Sequence, residues 1–306
     1  MPCIVKPASA TSYLTEAAVR LMHESGLLPE GSLQLVIGAT GDLLDRLQGQ
    51  DLVTFTGSAS TAGRLRANPN LIRHSVPFNA EADSLNCAIL APDVSQDDEE
   101  FELFIKEVAR EMTVKAGQKC TAIRRAIIPA KQLDAVATRL RERLSKVVVG
   151  DPAVEGVRMG ALASHEQQRD VAERLQSLLH SSDLLFGARD GFEPRGTNVS
   201  QGAFFAPTLL LARDPMAEGG AHDIEAFGPV STLMAYDDLD QALELASRGK
   251  GSLVASLVTK SPAIAAQVIP RAAAWHGRLL VLDRHCAGES LSLIHISEPT
   301  RLRRIS

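Results

Sequence analysis

A chain of 306 residues, 45% of them hydrophobic and 23% charged, is long enough to bury one large core or two smaller ones, and two domains are expected. Its formal net charge of -5, with no basic cluster outside a short tail, excludes nucleic acid as the main partner, because that affinity draws on clustered Lys and Arg. No apolar run approaches the ~20 residues that span a bilayer, and the N-terminus has no basic segment leading into a long apolar one.

The first 84 residues alternate short apolar runs with helical patterns, as in a parallel α/β sheet. "CIVKP" reads as a strand stopped by Pro7. Thr11 or Ser12 then starts a helix in which Leu14, Ala18, Leu21 and Met22 recur at helical spacing, and Gly26 ends it. "LQLVIG" and "DLVTFTGS" are the next strands, and Ser58 stands where a new helix begins. The backbone N-H groups of such a strand-to-helix turn can receive phosphate. "GATGDLL" has a Gly-x-x-Gly but not the GxGxxG fingerprint, and reads as a turn.

Further on, Asp97 or Asp98 caps a helix whose Phe101, Phe104, Ile105, Val108 and Met112 form one apolar stripe, closed by Gly117. "RRAIIP" is a strand, residues 131–147 and 165–180 are helices, and "STLMAY", "LVASLVT" and "RLLVLD" are further strands. There is no internal repeat or long linker. At Leu291 the composition changes abruptly: "LSLIHISEPTR" is continuous with nothing before it and looks like a translated sequencing adapter. Residues 291–306 are therefore set aside as a non-native tail.

Four scattered cysteines, Cys3, Cys87, Cys120 and Cys286, form no CxxC pair, which argues against a disulfide framework and for a reducing cytoplasm. One of them stands apart. In "KAGQKCTA", Gly117, Gln118, Lys119 and Thr121 surround Cys120 with polar, tight backbone, unlike the neighbours of a packing thiol. Taken alone, such a cysteine is more often structural than nucleophilic. Two carboxylates accompany it: Glu81 in "VPFNAEADS", after a strand, and Glu225 in "HDIEAFGPV", in a loop with Phe227, Gly228 and Pro229. His222, Asp223 and Glu225 are adjacent but lack HExxH or another ligand spacing, so no metal is expected.

"IVKPAS", "FTGS", the glutamate of "NAEADS", "GQKCTA", "GAFFAPTLL" and "IEAFGPV" occur in the order and approximate spacing of the aldehyde dehydrogenase superfamily, which the chain resembles over nearly all of residues 2–290. More narrowly, "FTGSASTAGRLRANPN" and "KAGQKCTAIRRAIIP" resemble the dehydrogenase half of bifunctional ring-opening enzymes of bacterial phenylacetate degradation, which oxidises a CoA-linked semialdehyde. The resemblance implies an α/β fold with a partial Rossmann-type cofactor-binding sheet in residues 1–92 and an α/β catalytic domain in residues 93–290.

It also implies roles. Cys120 matches the nucleophile that forms a thiohemiacetal and then a thioester, and Glu81 the base that helps hydrolyse it. Lys6 lies where the family holds the adenosine ribose, Ser58 where it contacts the pyrophosphate with Gly57 in the same turn, and Glu225 and Phe227 where it holds the nicotinamide ribose and ring. Ser9 stands where NAD-preferring members often place a glutamate that repels a 2'-phosphate. NADP is therefore expected, with NAD possible. The implied partners are a small-molecule aldehyde and, for the parent protein, further copies of itself, with neither nucleic acid nor membrane. Alternatives are a CoA-acylating dehydrogenase and a non-catalytic nucleotide-binding relative.

Some expected features have no counterpart. The superfamily's N-terminal portion, with its oxyanion-holding asparagine, and its closing oligomer strand are missing, so the chain is expected to be truncated and impaired. "GSASTAG" carries one residue more between its glycines than the commonest form, and "ADSLN" replaces the usual Leu-Gly-Gly after Glu81.

Overall fold

The computed structural model describes residues 2–187 and 192–286, and the chain divides into two units, Met1–Asp83 and Ser84–Ser306. The set-aside tail, residues 291–306, lies outside the described residues.

In the first unit β1 (Cys3–Val5) pairs parallel with β2 (Leu33–Leu35), and β3 (Val53–Thr56) pairs parallel with β4 (Phe78–Glu81). Parallel neighbours need a crossover. α1 (Ser12–Glu24) supplies the first, and α2 (Ala59–Arg66) with α3 (Pro69–Arg73) the second. α3 starts where it does because Asn68 Oδ1 accepts the Asn70 N-H at 2.8 Å and Pro69, which has no N-H to leave unpaired, takes the first helical position. Gly26, at φ +68°, follows the end of α1 as expected. The expected apolar stripe of α1 is present, yet Leu14, Leu21 and Met22 stay exposed and Val19 is the buried residue. Helical periodicity marks a face that can be covered; it does not say that it is.

The second unit is built on a seven-stranded sheet in the order β11-β10-β5-β6-β9-β8-β7. These strands are β5 (Cys87–Leu90), β6 (Arg125–Pro129), β7 (Ser182–Phe186), β8 (Thr208–Ala212), β9 (Val230–Tyr236), β10 (Ser252–Val258) and β11 (His276–Leu282). Every pairing is parallel except β7 with β8. The helices are α4 (Glu99–Thr113), α5 (Leu133–Leu144), α6 (His165–Leu179), α7 (Leu239–Ser247) and α8 (Pro262–Ala272).

Strand alternation divides the core into two layers. Cys87, Ile89 and Ile127 face α6, α7 and α8, meeting Val171, Leu245 and Val268. Ala88, Leu90 and Ile128 face the other way, onto Phe104, Val108 and Leu140 of α4 and α5. All five stripe residues of α4 are almost completely buried. At roughly 1.5–3 kcal/mol for a fully buried large apolar side chain, that stripe accounts for the docking of α4 on the sheet. Because β5 lies between β10 and β6, it belongs to the second unit. The division falls between Asp83 and Ser84, ahead of the boundary at residue 92 expected from sequence.

Asp98 sits at the cap position of α4, but its carboxylate accepts from Ser95 N-H at 2.7 Å and pairs with Lys260 at 2.6 Å instead of capping the helix. Glu99, Glu100 and Glu102 place negative charge in the first turn, where the helix dipole favours it. Among the described residues no helix is long and apolar enough to cross a membrane.

Candidate active site

After α4 the backbone turns sharply: Lys115, Ala116 and Gly117 have φ of 54°, 53° and 68°. For two residues with a Cβ this conformation costs roughly 1–2 kcal/mol each, so the surroundings must enforce it. At Gly117 a Cβ would stand 2.2 Å from Gly228 O and 2.8 Å from Pro229 Cα, so only glycine allows this approach. Two motifs far apart in sequence, "GQKC" and "FGP", thus meet backbone to backbone.

Arg124 fastens that meeting. Its buried guanidinium donates to Gly228 O at 2.7 Å, to Gly117 O at 3.0 Å and to Glu225 Oε1 at 3.2 Å, and it lies 5.4 Å from the centroid of the Phe227 ring. Glu225 Oε2 also accepts the Ser84 N-H at 3.1 Å. Burial lowers the pKa of Arg124; the negative charges of Glu225, Glu111 and an ionised Cys120 oppose that shift. Glu225 is therefore a buried, ion-paired carboxylate and not a loop side chain in solvent.

Asn86 anchors Cys120 from below. Fully buried, it donates through Nδ2 to Cys120 O at 2.8 Å and Ala122 O at 3.0 Å, and its Oδ1 accepts from Ser84 Oγ at 2.7 Å and Val254 N-H at 3.0 Å. Both donors and both lone pairs are used. Its own carbonyl accepts the N-H groups of Arg124 and Arg125. The residues before Cys120 are pinned as well. Gln118 Oε1 accepts the Ala163 N-H at 2.7 Å, and Lys119 pairs with the buried Glu111 at 2.6 Å. Cys120 itself is half-buried, a side chain presented by a backbone fixed on every side.

Arg125 serves the sheet. Completely buried, it donates to Leu85 O at 2.7 Å, Leu245 O at 2.7 Å and Ala246 O at 3.1 Å, and it lies 3.2 Å from His222 Nδ1. His222 Nε2-H donates to Pro215 O at 2.8 Å, so both ring nitrogens are committed and burial holds the imidazole pKa below its usual value. Asp223 pairs with Lys250 and Glu225 with Arg124, so these three neighbours in sequence turn to different partners. Among the described residues no group of three His, Cys, Asp or Glu side chains is placed to hold a metal ion.

The remaining predicted residues lie in the first unit. Glu81 is the last residue of β4, opposite Thr56, and its carbonyl accepts the Gly57 N-H at 3.1 Å. That pairing brings Glu81 beside the Gly57–Ser58 turn. Ser58 caps α2, its Oγ accepting the Thr61 N-H at 3.3 Å. The Ala59 N-H meets a carboxylate, Asp83 Oδ1, at 2.8 Å, so the start of α2 already receives an anion. Lys6 follows β1 with Nζ on Pro7 O at 3.0 Å, and Ser9 opens the short turn Ser9–Thr11; both are exposed. Sequence reading missed Arg124 and Asn86. Their one signal was a polar residue inside an apolar stretch.

The sequence profile of the aldehyde dehydrogenase family matches residues 2–276. The 3,4-dehydroadipyl-CoA semialdehyde dehydrogenase of Aromatoleum evansii is 44% identical over 283 residues, covering 92% of this chain and 55% of that protein. Protein MaoC of Klebsiella aerogenes is 42% identical over 133 residues, covering 43% of this chain and 38% of that protein. The chain thus spans about half the length, or less, of these relatives. Among solved structures, the betaine aldehyde dehydrogenase of Staphylococcus aureus in complex with NAD+ superposes with a TM-score of 0.79 over 92% of this chain and 53% of that chain, at 24% identity. That likeness establishes the fold, including its parallel-dominated sheet, and the match over residues 2–276 establishes the kinship: the chain belongs to the aldehyde dehydrogenase family.

Proposed function

We propose that the protein carrying this chain oxidises a CoA-linked semialdehyde to the carboxylic acid with NADP, using Cys120 as the nucleophile. The observation that carries the reading is the fixed loop around Cys120, held by Asn86 and Arg124 against the segment bearing Glu225 and Phe227. A thiol of ordinary pKa near 8.5 is mostly protonated at neutral pH, and a buried guanidinium beside it favours the thiolate. The thiolate sulfur bonds to the aldehyde carbon. A nicotinamide dinucleotide, when bound, supplies the acceptor for the hydride lost from that carbon, which leaves a thioester on Cys120.

Glu81 takes a proton from the water that attacks the thioester, and the carbon–sulfur bond breaks to restore the thiol. In sum, aldehyde, water and NADP+ give carboxylate, NADPH and two protons. The start of α2 is the position proposed for a dinucleotide phosphate, which would have to take over the Ala59 N-H that Asp83 Oδ1 accepts in this structure. Ser58 and Gly57 would line that phosphate position, and Lys6 with the uncharged Ser9 would accept a 2'-phosphate. Glu225 and Phe227 would hold the nicotinamide end. The CoA-linked substrate is supported by the name of the Aromatoleum evansii relative.

The test is aldehyde-dependent NADPH formation by the full-length parent, with the product identified. Cys120→Ser is expected to lower the rate by at least 1000-fold, and equal rates reject the nucleophile. A free acid as product supports Glu81-directed hydrolysis, whereas an acyl-CoA overturns it. Rates with NAD exceeding those with NADP at equal concentration overturn the cofactor preference.

A further inference from the structure

We infer that a groove between α4 and α5, outside the Cys120 site, binds a nucleotide carrying two or more phosphates. The groove encloses about 430 Å³ and is lined by six cations and two carboxylates, on a chain whose net charge is -5. The carboxylates, Glu102 and Glu142, both pair with Arg139, and Arg110 pairs with Glu107 and Glu111. That leaves Lys106, Arg143, Lys146 and Arg158, which are exposed and whose side chains have no ion-pair or hydrogen-bond partner among the described residues. Four uncompensated positive charges around one depression repel one another, and a ligand with several negative charges relieves that repulsion.

The helix dipole is the plain alternative explanation. Cations at a helix C-terminus are favourable, and Arg143 is in the last turn of α5 with Lys146 just beyond it. It does not explain Lys106, in the body of α4, or Arg158, which a separate loop brings to the same groove. The size suits a small molecule, because small-molecule sites run from about 300 to 1,000 Å³ and a polymer needs an extended track. Ile105, Ala109 and Val147 give the groove an apolar lining suited to a planar base, and two of the unpaired cations are guanidinium groups, which match phosphate oxygens bidentately.

Such chemistry has two sources: the phosphorylated adenosine of a CoA thioester, in which case the inference rests on the proposed substrate, or a free nucleotide. Titration calorimetry of the chain with coenzyme A, adenosine 3',5'-bisphosphate and ADP separates them. Saturable binding is expected, weakened at least tenfold by the double charge reversal Lys106→Glu/Arg143→Glu. Both residues are exposed, and an unchanged circular dichroism melt shows that the variant is folded. Coenzyme A and the bisphosphate binding more tightly than ADP assigns the groove to the CoA thioester; ADP binding equally well or better assigns it to a free nucleotide. Absence of saturable binding by all three probes, or affinities untouched by the charge reversal, overturns the inference. NADP binding measured on the same samples reports on the cofactor reading separately, because no groove residue belongs to that site.

Discussion

If Cys120 is the nucleophile, as proposed, Arg124 is the residue to test first, because it is a buried cation whose charge would favour a thiolate there while it holds both Gly117 and Gly228. A positive charge close to a thiol favours its ionised form, typically by a pKa unit or more. The pH at which iodoacetamide alkylation of Cys120 reaches half its maximal rate should therefore rise by about one unit in Arg124→Met. Removing one partner of a buried pair costs about 3–5 kcal/mol, so Arg124→Met is expected to be less stable as well. Arg124→Lys separates the two effects. It keeps the charge but cannot span Glu225, Gly228 O and Gly117 O together. Its alkylation midpoint should stay within a few tenths of a unit of the wild type while its urea midpoint falls. A midpoint that does not move in either variant would remove Arg124 from thiol activation.

At the scale of elements, the turn between α4 and β6 is the piece that cannot be exchanged. Gly117→Ala would place a methyl 2.2 Å from Gly228 O at a residue with φ of 68°. The substitution should cost about 2–4 kcal/mol and, under the proposed mechanism, slow turnover of the protein carrying this chain more than it raises KM, since it would displace the proposed nucleophile and not the substrate's binding groups. A melting temperature equal to the wild type would refute the packing account. This turn also shows how far sequence reading reaches. Helix α4 was legible because five apolar residues at helical spacing coincide with real burial. α1 showed the same spacing, yet its stripe is exposed, since periodicity reports a pattern and not its partner. The segments of Cys120, Glu225 and Phe227 stood out through their motifs, and the structure brings those segments together at Gly117 and Gly228. Arg124 and Asn86 did not stand out, because the bonds that define them reach Gly228, 104 residues on, and Val254, 168 residues on. Such contacts arise from sheet order, which no local window contains.

Across the larger unit as a whole, the sheet gathers a buried basic cluster that ties stability to pH. Arg125 is the register partner of Cys87, whose sulfur lies 3.6 Å from His276 Nε2, and its guanidinium lies 3.2 Å from His222 Nδ1. His276 Nδ1-H donates to Ala272 O at 3.0 Å, so Nε2 is the acceptor for the Cys87 thiol, whose pKa burial pushes up. Burial, joined by the charge of Arg125, holds both histidines below their ordinary value of 6.5. When a folded-state pKa is depressed, the unfolded chain binds protons first. The stabilisation is therefore complete above the ordinary value and is lost as pH falls through it toward the folded value, with a slope of at most about 1.4 kcal/mol per pH unit for each histidine. Glu107 works in the opposite sense, because burial raises its carboxyl pKa and favours the protonated form as pH falls. The histidine variants, and not the slope of the wild type alone, therefore carry the test. Urea unfolding followed by circular dichroism should show stability declining from pH 7.5 to 5.5 in the wild type. In His222→Gln/His276→Asn, whose side-chain amides do not titrate, the decline should shrink by at least half. If the double variant loses stability as steeply as the wild type over that range, neither imidazole is held neutral by its burial beside Arg125.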